Sequence, residues 1–439
     1  MDWLYELRVV DGPVAVACWV LGIAGLAFLA ALVLVPRPRA RGAILAVASA
    51  AFAVAATLVL HWLIVDVLSI FPEDLPPEVL FWSGVGILGV VLGLVGIIRL
   101  GAARRAWGRR AAAVVSVVAA VLLSAQQVNA YFGLNLTIAD LAGVSVNRIQ
   151  PMSQALERAG AASVPLADWR APADLPDNGE LRKVHLPNAA SGFSARDAYV
   201  YMPPAYFAVP RPELPVLVLM AGQPGNPSDW LSGGRLRATM DRLAAKHGGV
   251  APVAVVVDPI GTPSNNTLCM DTKLGKVETY LTQDVVPWIK EHLTVAKDPT
   301  HWAAGGFSFG GTCAVQLLAQ HPELFSSALG FGAEKEPALA KERRKTIDTA
   351  FDGDEAAFEA QVPAHFFAEG GHEGQFLFLA AGRRDPDFMA QADVIAKQAR
   401  GGGAEVHEEF VPGEAHSWEM IAKAIPVGLD MLATRWRLP

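Results

Sequence analysis

Charge is scarce in this 439-residue sequence: Asp, Glu, Lys and Arg make up 18% of it, against 52% hydrophobic residues. Its mean hydropathy of +0.31 is too apolar for a chain that lives wholly in water, so a membrane part is expected. Lysine is absent from residues 1–133, which hold nine Arg and seven acids, a balance of +2. The whole chain is −7, so residues 134–439 carry −9. That acidic part has no basic face to neutralise phosphates, which excludes nucleic acid as a partner. Cysteine is nearly lacking: there are three, Cys18, Cys269 and Cys313, and their spacing is not that of a zinc site, so no metal is expected. Cys18 sits in an apolar run and reads as a small buried side chain. Cys269 and Cys313 either form one disulfide, if their half lies outside the cytoplasm, or remain two separate buried thiols.

Long apolar runs are what the sequence has instead. Four of them, at about residues 13–35, 42–64, 79–98 and 111–130, are long enough to cross a bilayer at about 1.5 Å of rise per residue. Arg37, Arg39 and Arg41 follow the first run; Arg99, Arg104, Arg105, Arg109 and Arg110 follow the third. The loop after the second run, VDVLSIFPEDLPPE, is acidic and has no base. Basic loops stay cytoplasmic, so the N-terminus and everything beyond residue 130 are expected outside. A cleaved signal peptide is the rival for the first run, but three more spans with consistent charge follow it. Trp62, Trp82, Trp107 and Tyr131 lie near span ends, where amphipathic rings settle. His61 and Asp66, at the outer end of the second span, suit interfacial placement or a polar pocket. With no charged residue in mid-span, a transporter lacks support. Gly84, Gly86 and Gly89 match a dinucleotide-binding pattern, yet no strand precedes them. Gly89 and Gly93 better suit close helix packing.

Residues 134–179, with Pro151, Pro165, Pro172 and Pro176, read as a juxtamembrane linker. From 180 to 439 the pattern changes. ELRKVHLP and ARDAYVYMPP read as two antiparallel strands. LPVLVLMAG, PVAVVVDPIG, HWAAGG, SSALGFGA, QFLFLAAG and EVHEEFVPG read as strands separated by helical stretches, among them 235–247, 387–400 and 418–435. That alternation predicts a mostly parallel α/β sheet. Residues 335–375 read as a charged, irregular insertion over the site.

Gly306-Phe307-Ser308-Phe309-Gly310 is a G-x-S-x-G pentapeptide between a strand and a helix, the setting of a nucleophile elbow. A serine hydroxyl needs a base, and the base a third group to orient it, arriving in the chain order serine, acid, histidine. Asp385 follows one later strand and His416 another. Asp387 and Glu334 are alternative acids, and Asp385 also fits a helix N-cap; His365, His372 and His407 are less well placed. The oxyanion needs backbone donors: the amide of Phe309, and that of Gln223, because Pro224 has none. Asp229 and Trp230 either contact substrate or start a helix with the ring packed beneath. Asn266 and Asp271 are candidate site walls, and Trp418 either shields the site or packs.

The runs AYVYMPPAY, LVLMAGQPGNPSDW, ETYLTQDVVPWI, GGFSFGG, AAGRRDPDF and EAHSWEM resemble an esterase family of α/β-hydrolases that includes esterase D-like enzymes and antigen 85 mycolyltransferases. The resemblance spans roughly 180–435 and implies a catalytic set of Ser308, Asp385 and His416. Two departures stand out: the first oxyanion loop begins Ala221-Gly222 rather than His-Gly or Asp-Gly, and the family's acid lies in a variable loop. The four-span N-terminus is similar to that of membrane-anchored actinobacterial esterases. The expectation is an α/β-hydrolase domain C-terminal to a four-helix transmembrane domain, acting on a lipid or acylated envelope ester without metal or organic cofactor. An acyltransferase with the same residues, or a non-catalytic envelope-binding domain, are the alternatives.

Overall fold

Apolar runs free of internal proline wind into four long helices in the first unit of the chain, Met1–Val144. They are α1 (Gly12–Leu34), α2 (Arg39–Trp62), α3 (Pro77–Arg99) and α4 (Trp107–Phe132). The computed structural model describes residues 2–36, 38–101, 106–157 and 162–439; Arg37, Arg104 and Arg105 of the topology argument lie outside them. Proline opens α1 and α3, where its missing N–H costs nothing. A π-wound turn, Leu63–Val67, continues α2. Gly133, at φ 66°, closes α4. All four helices are long and apolar enough to cross a membrane. Their outward faces keep large apolar side chains such as Val20, Ile44, Phe81 and Val115 exposed. Small residues carry the inward contacts. A Cβ on Gly86 would stand 2.8 Å from Ser124 Oγ, one on Gly89 2.7 Å from the Cβ of Ala120, and one on Gly93 would collide with Val117. The three glycines of the dinucleotide-like pattern thus lie within α3, and two of them, Gly86 and Gly89, face α4. His61 Nε2 stands 3.3 Å from Asp74 Oδ1 at the end of α2.

In the second unit, Ser145–Pro439, the strands are β1 (Glu180–Val184), β2 (Ala198–Met202), β3 (Val216–Met220), β4 (Val253–Val257), β5 (Trp302–Phe307), β6 (Ser327–Phe331), β7 (Phe376–Gly382) and β8 (Glu405–Val411). They form one eight-stranded sheet in the order β8-β7-β6-β5-β3-β4-β2-β1. β1 pairs antiparallel with β2, and β2 with β4; every other pairing is parallel. β2 to β7 are buried along their whole length, as near-continuous Val, Leu and Ala runs dictate when helices cover both faces. The helices are α5 (Leu236–Lys246), α6 (Val286–His292, entered through a π-wound turn at Tyr280–Val285), α7 (Phe309–Gln320), α8 (Arg343–Phe351), α9 (Glu355–Glu359), α10 (Pro363–Glu369), α11 (Pro386–Gly401) and α12 (Trp418–Arg435).

Two segments differ from their sequence reading. The stretch 335–375 is not irregular: it holds α8, α9 and α10. Ile347, Phe358 and Val362 give these short helices a small apolar core of their own, beneath the charges that dominate the sequence. The described residues of the stretch read as a linker are folded. Its part up to Val144 clusters with the four helices. Beyond Ser145, Ser163–Pro165 pairs with Arg211–Glu213, Trp169 is buried, and Met152, Leu156 and Leu175 pack on the second unit's core. Prolines mark the turns of a packed chain here rather than an open tether.

Cys269 and Cys313 form a disulfide with their Cα atoms 5.5 Å apart. It joins the loop beyond β4 to α7, where Gln316 Nε2 also donates to the Leu268 carbonyl at 3.1 Å. A native disulfide of this kind contributes about 2–5 kcal/mol. Reductant should therefore lower the thermal midpoint of the wild type to that of the Cys269→Ala/Cys313→Ala variant. Equal midpoints for oxidised wild type and variant would show that the bond carries no stability.

Candidate active site

Glycine makes the turn after β5 possible. A Cβ on Gly306 would collide with the Gly310 backbone, and one on Gly310 with the Met220 carbonyl. Ser308 sits between them at φ 55°, ψ −121°, a conformation that L-residues avoid. Its own N–H donates to the Phe331 carbonyl at 2.8 Å, so the next strand holds the turn. Phe309 is the first residue of α7, and the amide of a first helical residue has no intrahelical acceptor. That leaves it available to an anion at the helix start.

His416 lies in the loop between β8 and α12. Its Nδ1 stands 3.5 Å from Asp385 Oδ2, and the two side chains are 13% and 15% exposed. The ring lies between Phe388, centroid to centroid 4.1 Å, and Phe307 at 4.6 Å. Gly332 closes the third side: at φ +57°, its Cβ would stand 2.6 Å from His416 Cε1. The other nitrogen, Nε2, is buried and makes no hydrogen bond. The structure thus brings His416 and Asp385 together, and His416 makes no hydrogen bond to Ser308. Asp385 also caps α11: its Oδ1 accepts from the Phe388 N–H at 3.3 Å. One carboxylate oxygen thus caps the helix while the other lies beside His416.

Asp387 is in the first turn of α11. His365 pairs with Glu369, His372 bonds Gln375 and the Phe366 carbonyl, and His407 stacks on Phe378. Glu334 lies beyond β6, its N–H donating to Thr312 Oγ1 at 2.9 Å. Desolvation and the neighbouring Glu336 charge push its carboxyl up to about 8.

The loop after β3 comes against the serine: a Cβ on Gly222 would stand 3.3 Å from the Ser308 Cβ. Gln223 is buried, precedes a cis peptide to Pro224, and donates through Nε2 to the Ser264 carbonyl at 3.2 Å. Asp229 and Trp230 build this loop and do not wall the site. The Asp229 carboxylate accepts from the Asn226 N–H at 2.7 Å. Trp230 is fully buried and donates through Nε1 to the Met220 carbonyl at 2.9 Å, so it has no surface to offer a substrate. Trp418 is buried edge-on to Trp230 and Phe307 and packs behind the histidine. Asn266 bridges the Ala338 carbonyl and the Leu268 N–H, which ties the loop beyond β4 to the segment before α8. Asp271 is exposed, and both its carboxylate oxygens accept from Thr279. A cavity of about 410 Å³ opens at the β4–β2 end of the same sheet edge, lined by Phe193, Ile260, Thr262, Asn265 and Lys276. No sequence pattern pointed to it.

A parallel sheet in this order, with a serine elbow after β5 and an acid and histidine after β7 and β8, is the α/β-hydrolase fold. A family model described as "Putative esterase" matches residues 194–427, and the chain belongs to that family. An uncharacterized protein of Corynebacterium glutamicum is 38% identical over 259 residues, 56% of this chain and 59% of the relative's own length. Among solved structures, a ferulic acid esterase matches at 17% identity and a TM-score of 0.48, over 59% of this chain and 98% of its own. An S-formylglutathione hydrolase from Agrobacterium tumefaciens matches at 16% and 0.48, over 60% and 98%.

Two outcomes are expected. Gly332→Ala should cut kcat at least about tenfold, because its methyl displaces the His416 ring from a site where small misplacements cost heavily; steady-state kinetics on short esters reads this. The second concerns Asp229, whose carboxyl burial pushes up to about 6 from 3.8. A raised carboxyl favours the folded state while protonated, so this group's contribution falls as pH rises from about 4 to 6, by up to about 3 kcal/mol. Asp229→Asn should flatten that part of the stability–pH curve; an unchanged curve would show that the group does not titrate there.

Proposed function

We propose that this chain is a membrane-anchored serine esterase whose catalytic unit works outside the cytoplasm, on an ester of a lipid or of an acylated envelope glycoconjugate. The observation that carries the catalytic reading is the 3.5 Å approach of His416 Nδ1 to Asp385 Oδ2, with Ser308 on a strained turn directly after Phe307, whose ring packs on His416. Ser308 Oγ attacks the ester carbonyl while His416 Nε2 takes its proton. Asp385 holds the imidazole in the tautomer that leaves Nε2 free to accept, and stabilises the imidazolium that forms. The Phe309 and Gln223 amides receive the oxyanion. The C–O bond to the alcohol breaks as His416 returns the proton to it, leaving an acyl-serine. Water then loses a proton to His416 and attacks the acyl carbon; the bond to Ser308 Oγ breaks as His416 returns that proton to it, releasing the acid and restoring Ser308.

Three independent features support the location. Four helices are long and apolar enough to span; arginines cluster in the two loops expected inside; and the disulfide suits an oxidising compartment. A tether at the bilayer raises the local concentration of lipidic esters, which favours that substrate class.

The purified full-length protein in detergent should hydrolyse short p-nitrophenyl esters and take up a fluorophosphonate, and Ser308→Ala should abolish both. A folded sample that does neither refutes the mechanism. Product analysis with and without a sugar acceptor separates hydrolysis from acyl transfer, and envelope lipids that differ between wild type and the Ser308→Ala strain identify the substrate. For topology, alkaline phosphatase fused after Pro439 should be active and a fused green fluorescent protein dark; the reverse pattern puts the catalytic unit inside.

A further inference from the structure

Arg196, just before β2, and Asp258, just after β4, form a buried pair that neither composition nor motif marks. Asp258 is wholly buried and the Arg196 side chain is 25% exposed. The contact is a fork: Arg196 Nε donates to Asp258 Oδ2 at 2.8 Å and Nη2 to Oδ1 at 2.7 Å, and the Arg196 backbone N–H adds a bond to Oδ2 at 2.7 Å. Asp258 Oδ1 also accepts from the Ile260 N–H at 3.2 Å. Such planar, two-point contacts fix a guanidinium in orientation as well as position.

The remaining arm of the guanidinium points at the loop after β3. Nη1 donates to the Gly225 carbonyl at 3.0 Å and to Asn226 Oδ1 at 2.5 Å. That loop is also held by Gly225 N–H to the Pro263 carbonyl at 2.9 Å, Gln223 Nε2 to the Ser264 carbonyl, and Asn226 N–H to Asp229. It folds tightly back on itself, since a Cβ on Gly225 would collide with the Gly222 carbonyl. Gly222, in turn, is the residue that abuts Ser308. A continuous path of polar contacts and backbone therefore runs from Asp258 through Arg196 to the loop that carries the Gln223 amide.

We infer that Arg196, locked by Asp258, is a positioning residue that sets the Gln223 oxyanion donor against Ser308. The inference rests on the esterase reading above. A buried ion pair is weak ground for stability, because desolvation offsets its attraction, so a role in orientation explains why two charges are kept beneath this loop. An oxyanion donor acts only on the charge that develops in the transition state, so its misalignment lowers kcat and spares ground-state binding.

The test uses the full-length protein in detergent with p-nitrophenyl acetate. Arg196→Lys keeps a cation on Asp258 but cannot make the fork and reach Gly225 and Asn226 together. It should fold, with kcat at least about tenfold lower and KM within about twofold of wild type. Asn226→Ala, which leaves the ion pair whole, should move kcat the same way. In Arg196→Ala, added guanidinium should restore part of the lost rate, and affinity for a boronic acid that forms a tetrahedral serine adduct should track kcat across the set. A purely structural role would lower the melting temperature and leave kcat of the folded fraction unchanged. An active wild type with Arg196→Lys and Asn226→Ala both folded and within twofold in kcat overturns this inference alone. A wild type inert to esters and to fluorophosphonate removes the esterase reading, and this inference with it.

Discussion

Everything in the second unit turns on a backbone that must reverse within one residue. Ser308 occupies positive φ without being glycine, and that strain of the order of 1–3 kcal/mol has to be held by its surroundings. The holding is visible: the Phe331 carbonyl takes the serine's N–H, and Gly306 and Gly310 remove the side chains that would push the turn open. Burial of β5 on both faces, with Trp302 and Phe325 among the largest fully buried groups, supplies the stiffness. The central strands, which have no exposed residue, act as the abutment against which one dihedral angle is kept out of its preferred basin.

What could be read from the residues was whatever is local or ordered along the chain. The strands of the sheet, the elbow and the helix from Trp418 to Arg435 follow from runs, turns and the spacing of Gly, Pro and apolar residues. Asp385 and His416 were nameable because both sit just past strand ends in a fixed chain order. The failures have a common physical cause. Trp230 beside a glycine-rich loop has the sequence look of a site wall, but only the fold shows its indole spent on the Met220 carbonyl. Asp271 looks free until Thr279 is brought beside it. The short helices of 335–375 were hidden because their few apolar residues are spaced among many charges. Arg196 and Asp258 are sixty-two positions apart and meet only because β2 runs antiparallel beside β4; no local pattern carries that information.

The first unit obeys a different economy. Its helices meet through Gly86, Gly89, Ser124 and Ala120, where the absence of side chain is what brings backbones close. Polar side chains there satisfy themselves on backbone: Ser49 on Leu45, Thr57 on Ala53 and Ser124 on Trp82. In the second unit, by contrast, large apolar groups fill a core by volume. One chain therefore uses two packing rules.

Asp385 serves two masters with its two oxygens, one on the helix start and one on the imidazole. On the proposed mechanism, that fusion narrows the alphabet at this position to a single letter. Serine or asparagine caps a helix but carries no charge to hold an imidazolium; glutamate carries the charge but sets it one carbon too far out to cap. Under that mechanism, drift at this site is blocked from both directions, and a lineage could move the carboxylate only after α11 had found another way to begin.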